Sequence, residues 1–426
     1  MGKTIRDWLS EEPGRSFLMD RDGKFTREDC ANLITERVHG LRSNGLSPGD
    51  LVAAAFAPSV DAVIWILSVM EAGLIVLPVN IRQPASIIGK QLKTLGVGLF
   101  LDPESSLQPG KENYPPSPEV GSLLISTSGT TAEGKWVRLD WPSLLHGSGC
   151  AADQLQFGSC DRWLMNLPLY HVGGLAPIWR SLVSGGAMVM PGSGIDFSHI
   201  SMVGTQLRRV VAGRDEISCG DCRIILLGGG PVPDSLLQDA VNQGLPIVTS
   251  YGMTETGSLI TVDGFTTGSC EVRISGEDEI QVRGPGLFTG YFDPITGKTT
   301  LPLTADGWFR TGDLGCFVDS SRLRITGRRD NQFISGGENI QPEEIESALL
   351  SLGNIRQAVV VGVPDEEFGM RPVAFVDADD ADIAVRLEQL LPRYKIPIKF
   401  FDLPEDYSGR LKPSRKELSK LALQLR

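Results

Sequence analysis

Apolar and polar positions along the first eighty residues alternate between two rhythms. Thr26 is followed three residues on by Asp29, close to a capping box, and Gly45 closes the segment, so 26–44 is predicted to be a helix. The apolar run LVAAAFA (51–57) suits a buried strand, 59–72 reads as a helix, and LIVLPV (74–79) as the next strand. The apolar stretch 60–79 contains Asp61, Glu71, Gly73 and Pro78, which makes it a buried helix followed by a strand rather than a membrane span. Strand–helix–strand alternation implies α/β layering with parallel pairing. The rhythm returns in CRIILLGGG (222–230), a strand entering a glycine turn, in a helical 232–243, and in PIVTSYG (246–252). After about Gly268 the segments EIQVRG, WFRTGD and RLRITGRR are short, alternating and punctuated by turns, as in antiparallel sheet. A helix is expected at 342–352, strands at AVVVGVP and PVAFVDA, and a helix at 383–391. The expected fold class is α/β. A large N-terminal domain of layered α/β sheets with a β-rich subdomain would occupy 1–327, and a small α+β C-terminal domain 328–426.

Composition agrees with two to three soluble domains: 426 residues, 41% hydrophobic and 22% charged. The net charge of −12 argues against nucleic acid or an anionic membrane as the main partner. Locally the balance reverses, with nine Lys/Arg against four Asp/Glu over 393–426. Seven cysteines form no framework, and Cys219 and Cys222 are a lone Cys-x-x-Cys. The histidines His39, His146, His171 and His199 offer no second pair at metal spacing, so free thiols are expected. MGKTIRDWLSEEPG has no apolar core and is not a signal peptide, which makes the cytoplasm the default location.

The chemistry concentrates in LLISTSGTTAEGKWVRL (123–139). An apolar strand runs into Ser126, Thr127, Ser128, Gly129, Thr130 and Thr131, then Gly134 and Lys135. Hydroxyls, glycine backbone N–H groups and a lysine point charge suit a polyphosphate. The stretch 129–135 fits the first seven positions of a P-loop, but the eighth, where magnesium needs Ser or Thr, is Trp136. A P-loop also opens a helix, whereas WVRL alternates like a strand. The phosphate loop is therefore of another kind.

STSGTTAEGK resembles the phosphate-binding loop of the adenylate-forming enzymes, the superfamily of acyl-CoA synthetases, luciferases and peptide-synthetase adenylation domains. The other family motifs follow in order: YGMTETG (251–257), EIQVRGPGLFTGYF (279–292), GWFRTGDLG (307–315), GRRDNQFISGGENIQPEEIE (327–346) and SGRLKPSRKEL (408–418). The resemblance implies ATP, Mg2+ and CoA as reactants and cofactor, with no covalent enzyme intermediate. It implies Glu255 as the magnesium carboxylate, Thr254 as donor to the α-phosphate, and Tyr251 as the adenine wall, with Gly252 and Met253 beside it. Gly228, Gly229 and Gly230 would leave room for the adenine ring, and Asp313 with Arg328 would hold the ribose. Asp330 matches the hinge about which the family's mobile small domain rotates between the two half-reactions.

The last motif departs from the common Gly-Lys. Here Gly409 is followed by Arg410, and Lys412 comes two residues later, as in some aryl-acid ligases of quinone biosynthesis. Lys412 is taken as the lysine that approaches the acyl carboxylate and α-phosphate, with Arg410 as runner-up. LPLYHVGGLAPIWRSLVSGG (167–186) carries the acid pocket by resemblance. His171 borders it, Gly252 faces it from the nucleotide side, and Arg180, nine residues past His171, suits a second carboxylate on the substrate. These features together most resemble the o-succinylbenzoate–CoA ligases of menaquinone or phylloquinone synthesis. Other readings stay open at this level: another aryl- or fatty-acyl-CoA ligase, an enzyme loading a carrier protein, or a catalytically dead homologue. A homo-oligomer is neither required nor excluded.

Overall fold

The computed structural model describes residues 3–103, 120–127, 135–215, 221–230, 232–257, 259–319, 321–378, 382–404 and 415–425. Two large sheets carry the site. The first runs, in hydrogen-bonded order, Thr299–Thr300, Gly290–Phe292, Trp136–Leu139, Ser122–Ser126, Ile75–Pro78, Leu51–Ala54 and Leu99–Leu101. Its Leu51–Ala54, Ile75–Pro78 and Ser122–Ser126 strands are parallel, as the strand–helix–strand pattern requires, and Trp136–Leu139 returns antiparallel to Ser122–Ser126. The second large sheet has the parallel core Ile247–Tyr251, Ile224–Gly228, His199–Val203, Arg162–Leu164 and Ala187–Val189.

The helix Val60–Glu71 is apolar on every side because it packs between layers. Ala62 to Val69 are all buried, and even Ser68 is accommodated by donating its hydroxyl to the Ile64 carbonyl at 2.6 Å. The helix Arg27–Ser43 starts at a complete capping box between Thr26 and Asp29, and Gly45 follows it with φ +82°. A third, antiparallel sheet holds Glu271–Ile274, Glu279–Arg283, Phe309–Phe317 and Leu323–Arg328.

The last hundred residues form a fourth sheet around the hairpin Ala358–Asp365 and Gly369–Val376, flanked by Pro342–Ser351 and Arg415–Gln424. Two apolar clusters of their own fill it, one around Ile340, Ile345, Leu349 and Val360, the other around Val361, Phe375 and Leu418. The expected helix at 383–391 stops as Ile383–Leu387. Pro392 disfavours helical backbone at the residue before it, so the segment unwinds into turns.

Candidate active site

C-terminal strand ends from both large sheets carry expected residues. Ser126 ends one strand, and the backbone N–H of Thr127 donates to the Lys135 carbonyl at 2.9 Å. Ser126 and Trp136 are thus register partners in a pair of antiparallel strands, as the alternating WVRL implied. Gly228 ends the strand Ile224–Gly228 and Tyr251 the neighbouring Ile247–Tyr251. A Cβ at Gly228 would meet Ser250 Oγ at 2.8 Å, and Gly229 adopts φ +88°, so the turn needs glycine at both. Gly230 is exposed with open space where a side chain would be, which suits a flat ring lying on the backbone. The family's Ser128, Gly129, Thr130, Thr131, Arg410 and Lys412 lie outside the described residues.

Asp313 sits 6% exposed on Phe309–Phe317, opposite Arg328 in the register of Leu323–Arg328. Arg328 Nη1 lies 3.1 Å from Asp313 Oδ1, and Tyr251 donates its phenol hydrogen to Asp313 Oδ2 at 2.7 Å. Burial, and then the charge of Asp313, hold the Tyr251 phenol well above its ordinary range, which keeps it a donor. One carboxylate is therefore fixed from both sides.

Thr254, Glu255 and Thr256 form a single 3-10 turn. Gly257 closes it with φ +63°, and the Thr256 hydroxyl donates back to the Met253 carbonyl at 3.1 Å. Glu255 is 8% exposed and accepts a 2.7 Å hydrogen bond at Oε1 from the phenol of Tyr291, while its carbonyl accepts from the Phe288 N–H at 2.8 Å. Burial and the charge of Glu255 raise the Tyr291 phenol well above its usual range. The Lys135 ammonium stands 4.8 Å from the centre of the Tyr291 ring. Tyr291 lies inside a quoted motif, GLFTGYF, yet sequence reasoning assigned it no part.

No cluster of three His, Cys, Asp or Glu makes a ready-made metal site among the described residues. A magnesium ion carried on nucleotide phosphates needs only one or two carboxylates. Glu255 fits that demand, since no hydrogen bond from a described residue reaches its Oε2.

His171 is the exposed N-cap of the helix Val172–Ser184 and lies against Tyr170, ring centres 4.6 Å apart. Beside it a cavity of about 100 Å³ is walled by Asn80, Gln83, Ser126, Trp136 and Tyr170. Gly174 lets the first helical turn press on the backbone of Pro168, where any Cβ would collide. At the other end the buried guanidinium of Arg27 donates to the carbonyls of Ser181 and Leu182, both at 3.0 Å, capping orphan acceptors. Arg180 rides on this helix, 1% exposed, its guanidinium 4.8 Å from the Trp163 ring. Trp163 stacks on His199 with centres 5.2 Å apart and donates Nε1–H to Ser201 Oγ at 3.2 Å. Burial pushes the Arg180 guanidinium down to about 9.

Asp330 is exposed in the 3-10 turn Arg329–Asn331. Its neighbour Arg329 reaches Glu277 at 2.6 Å and Glu279 at 3.1 Å. Glu279, 2% exposed, also accepts from Arg310 Nε at 2.7 Å and from the Gly312 N–H at 3.1 Å, next to Asp313. Across the turn Gln341 Nε2 donates to the Arg328 carbonyl at 3.1 Å, and Asn331 to Glu343 at 2.5 Å. Glu343 and Glu346 both hold Arg415, which opens the helix Arg415–Gln424. Neither Glu279 nor the Glu343–Arg415 link was assigned a part from sequence, because neither carries a reacting group.

A mixed α/β frame that joins Tyr251, Asp313 and Arg328 in one contact and Glu255, Tyr291 and Lys135 in another suits an enzyme that activates acids on a nucleotide. The chain belongs to the AMP-binding enzyme family, which matches residues 5–116 and 102–292, and the AMP-binding enzyme C-terminal domain matches 344–410. Within that family its likeness is to the o-succinylbenzoate–CoA ligases. It is 31% identical to the 2-succinylbenzoate–CoA ligase of Salmonella typhimurium (strain LT2), over 97% of this chain and 96% of the relative. The o-succinylbenzoate CoA synthetase (MenE) from Bacillus subtilis, in complex with the acyl-adenylate intermediate OSB-AMP, superposes with a TM-score of 0.85. The identity is 27%, over 97% of each chain. The same enzyme in complex with ATP and a magnesium ion gives 0.84 at 26%, over 97% of this chain and 98% of that one.

Proposed function

We propose that the chain is an ATP-dependent acid–CoA ligase that converts 2-succinylbenzoate, ATP and CoA to 2-succinylbenzoyl-CoA, AMP and diphosphate, a step toward menaquinone or phylloquinone. The succinyl carboxylate attacks the α-phosphorus and diphosphate leaves. The CoA thiol then attacks the acyl carbon and AMP leaves. Both partners of the first step are anionic, so fixed cations and donors must offset repulsion at the reacting centre.

In this reading Asp313 and Arg328 take the ribose, and Tyr251 and Gly228–Gly230 take adenine. Gly252 and Met253 line the same wall, and Thr254 donates to the α-phosphate. Bound magnesium neutralises phosphate charge, with Glu255 as the carboxylate that would hold it. Ser126 to Thr131 and Lys135 embrace the outer phosphates. Lys412 serves the acyl carboxylate, with Arg410 as the alternative. His171 borders the acid and Arg180 pairs with its aromatic carboxylate.

The chain would divide into 1–327 and 328–426 with Asp330 as the hinge. The separate apolar clusters of the last hundred residues support that division. No helix among the described residues is long and apolar enough to cross a membrane, and we assign the enzyme to the cytoplasm. The oligomeric state is left open.

One observation carries the substrate: a guanidinium 1% exposed on the helix that begins at His171. A planar guanidinium is a fork of donors that matches a carboxylate, and a second carboxylate on the acid is the group it would take. The test is pyrophosphate release with ATP and magnesium on 2-succinylbenzoate, benzoate, coumarate and a medium-chain fatty acid, with and without CoA. CoA-dependent turnover on 2-succinylbenzoate alone is expected. Turnover on another acid would discard the substrate and keep the reaction; success only with a phosphopantetheinyl carrier would replace the CoA step.

A further inference from the structure

We propose that Tyr291 is a positioning residue for the metal-bound phosphates, aiming Glu255 with its hydroxyl and seating Lys135 on its ring. The proposal rests on the reading of Glu255 as the magnesium carboxylate. Residues 135 and 255 are far apart in sequence and of opposite charge, yet both address one side chain. The phenol oxygen lies 2.7 Å from Glu255 Oε1, and the Lys135 ammonium lies 4.8 Å from the ring centre.

The position of Tyr291 follows from strand register. Gly290–Phe292 pairs antiparallel with Trp136–Leu139, with Tyr291 opposite Val137 and Phe292 opposite Trp136. That pairing sets the ring beside the strand that Lys135 leads into. Gly290 allows it: φ is +145°, and a Cβ would come within 2.5 Å of the Thr300 carbonyl. The ring is locked from behind. Phe288 meets it edge-on with centres 4.9 Å apart, Phe309 meets Phe288 at 5.1 Å, and the Phe288 N–H holds the backbone of Glu255.

Two consequences follow. With Oε1 engaged by the phenol, Oε2 is the oxygen left to a cation, and the carboxylate would hold it without reorganising. The ring also works as a spacer. No ion pair joins Lys135 to Glu255 among the described residues. With the ring removed, the ammonium can fall onto the carboxylate and neutralise the group that should attract magnesium. A ring face holds a cation by its quadrupole without discharging it.

The experiment follows ATP binding by calorimetry while magnesium is titrated, on wild type and on Tyr291→Phe, Tyr291→Leu and Glu255→Gln. Tyr291→Phe keeps the ring and loses one hydrogen bond to a charged group, so its magnesium midpoint is expected to rise about tenfold. ATP binding without magnesium should be unchanged. Tyr291→Leu should shift the midpoint further and weaken ATP binding without magnesium as well, because Lys135 is captured. In Tyr291→Phe/Glu255→Gln the midpoint should equal that of Glu255→Gln alone. If Glu255→Gln moves the midpoint and Tyr291→Phe does not, the positioning role is wrong while the Glu255 reading stands. If Glu255→Gln itself leaves the midpoint in place, both fall. A melting curve on each variant separates these outcomes from failure to fold.

Discussion

Replacing Arg180 with methionine removes a buried cation and should make the enzyme worse on 2-succinylbenzoate. The guanidinium is 1% exposed, and burial pushes it down from its ordinary range to about 9. At about 1.4 kcal/mol for each tenfold change in proton affinity, this depression is a burial cost on the order of 5 kcal/mol. Stacking on Trp163 returns about 1–2 kcal/mol of it. Methionine fills similar space without that burial cost, and its stability no longer follows the titration of the guanidinium.

The sign with pH follows from the depressed value. Above about 9, and up to the ordinary range of the group, the unfolded chain holds a proton that the folded chain has lost, so the wild type gains stability as pH rises through that window. Relative to the wild type, Arg180→Met should therefore lose stability as pH rises above about 9. Losing one partner of a desolvated pair costs about 3 kcal/mol, or roughly a hundredfold in kcat/KM for 2-succinylbenzoate. The control substrate is 4-oxo-4-phenylbutanoate, which lacks the aromatic carboxylate and should lose little. Melting curves with and without substrate, beside kinetics on both acids, read all of this. An equal loss on the two acids, or an unchanged KM for 2-succinylbenzoate, would refute the pairing.

Tyr251→Phe removes one hydrogen bond to the buried Asp313 carboxylate, and KM for ATP should rise about fivefold to tenfold in steady-state assays, with KM for the acid unchanged. Arg415→Met strips Glu346 of the cation that offsets its burial, at a cost of about 3–5 kcal/mol in urea denaturation at neutral pH. Burial already raises Glu346 above 4.5, so its folded form binds the extra proton; the loss should shrink toward acid pH and grow as pH climbs from 4.5. Lys412→Ala should slow acyl-adenylate formation by about a hundredfold to a thousandfold, measured as single-turnover pyrophosphate release, while thioester formation from supplied acyl-adenylate persists. Arg410→Ala should have the smaller effect on the same assay.

Much of the frame was legible because it rests on local rules. The capping box at Thr26 and Asp29, the apolar run 60–71 and the alternating WVRL are patterns of period 3.6 or 2. They became a helix, a helix buried on all sides and a strand. Trp136 at the eighth position and the alternating WVRL together separated this segment from a P-loop. The motifs also named Tyr251, Glu255, Asp313 and Arg328, and the fold brings Tyr251, Asp313 and Arg328 into one contact.

How those residues are held depends on the folded chain. Tyr251 and Asp313 are 62 positions apart, and no periodicity says that a phenol on one sheet will fix a carboxylate on another. The same is true of Tyr291 between Glu255 and Lys135, of Glu279 gathering Arg310, Arg329 and the Gly312 amide, and of Trp163 between Arg180 and His199. Sequence fixes the chemical groups and the local geometry, because those depend on neighbours within a turn. Orientation, burial and charge balance depend on strand register and on which layers pack together, so these partners become visible only once the chain is folded.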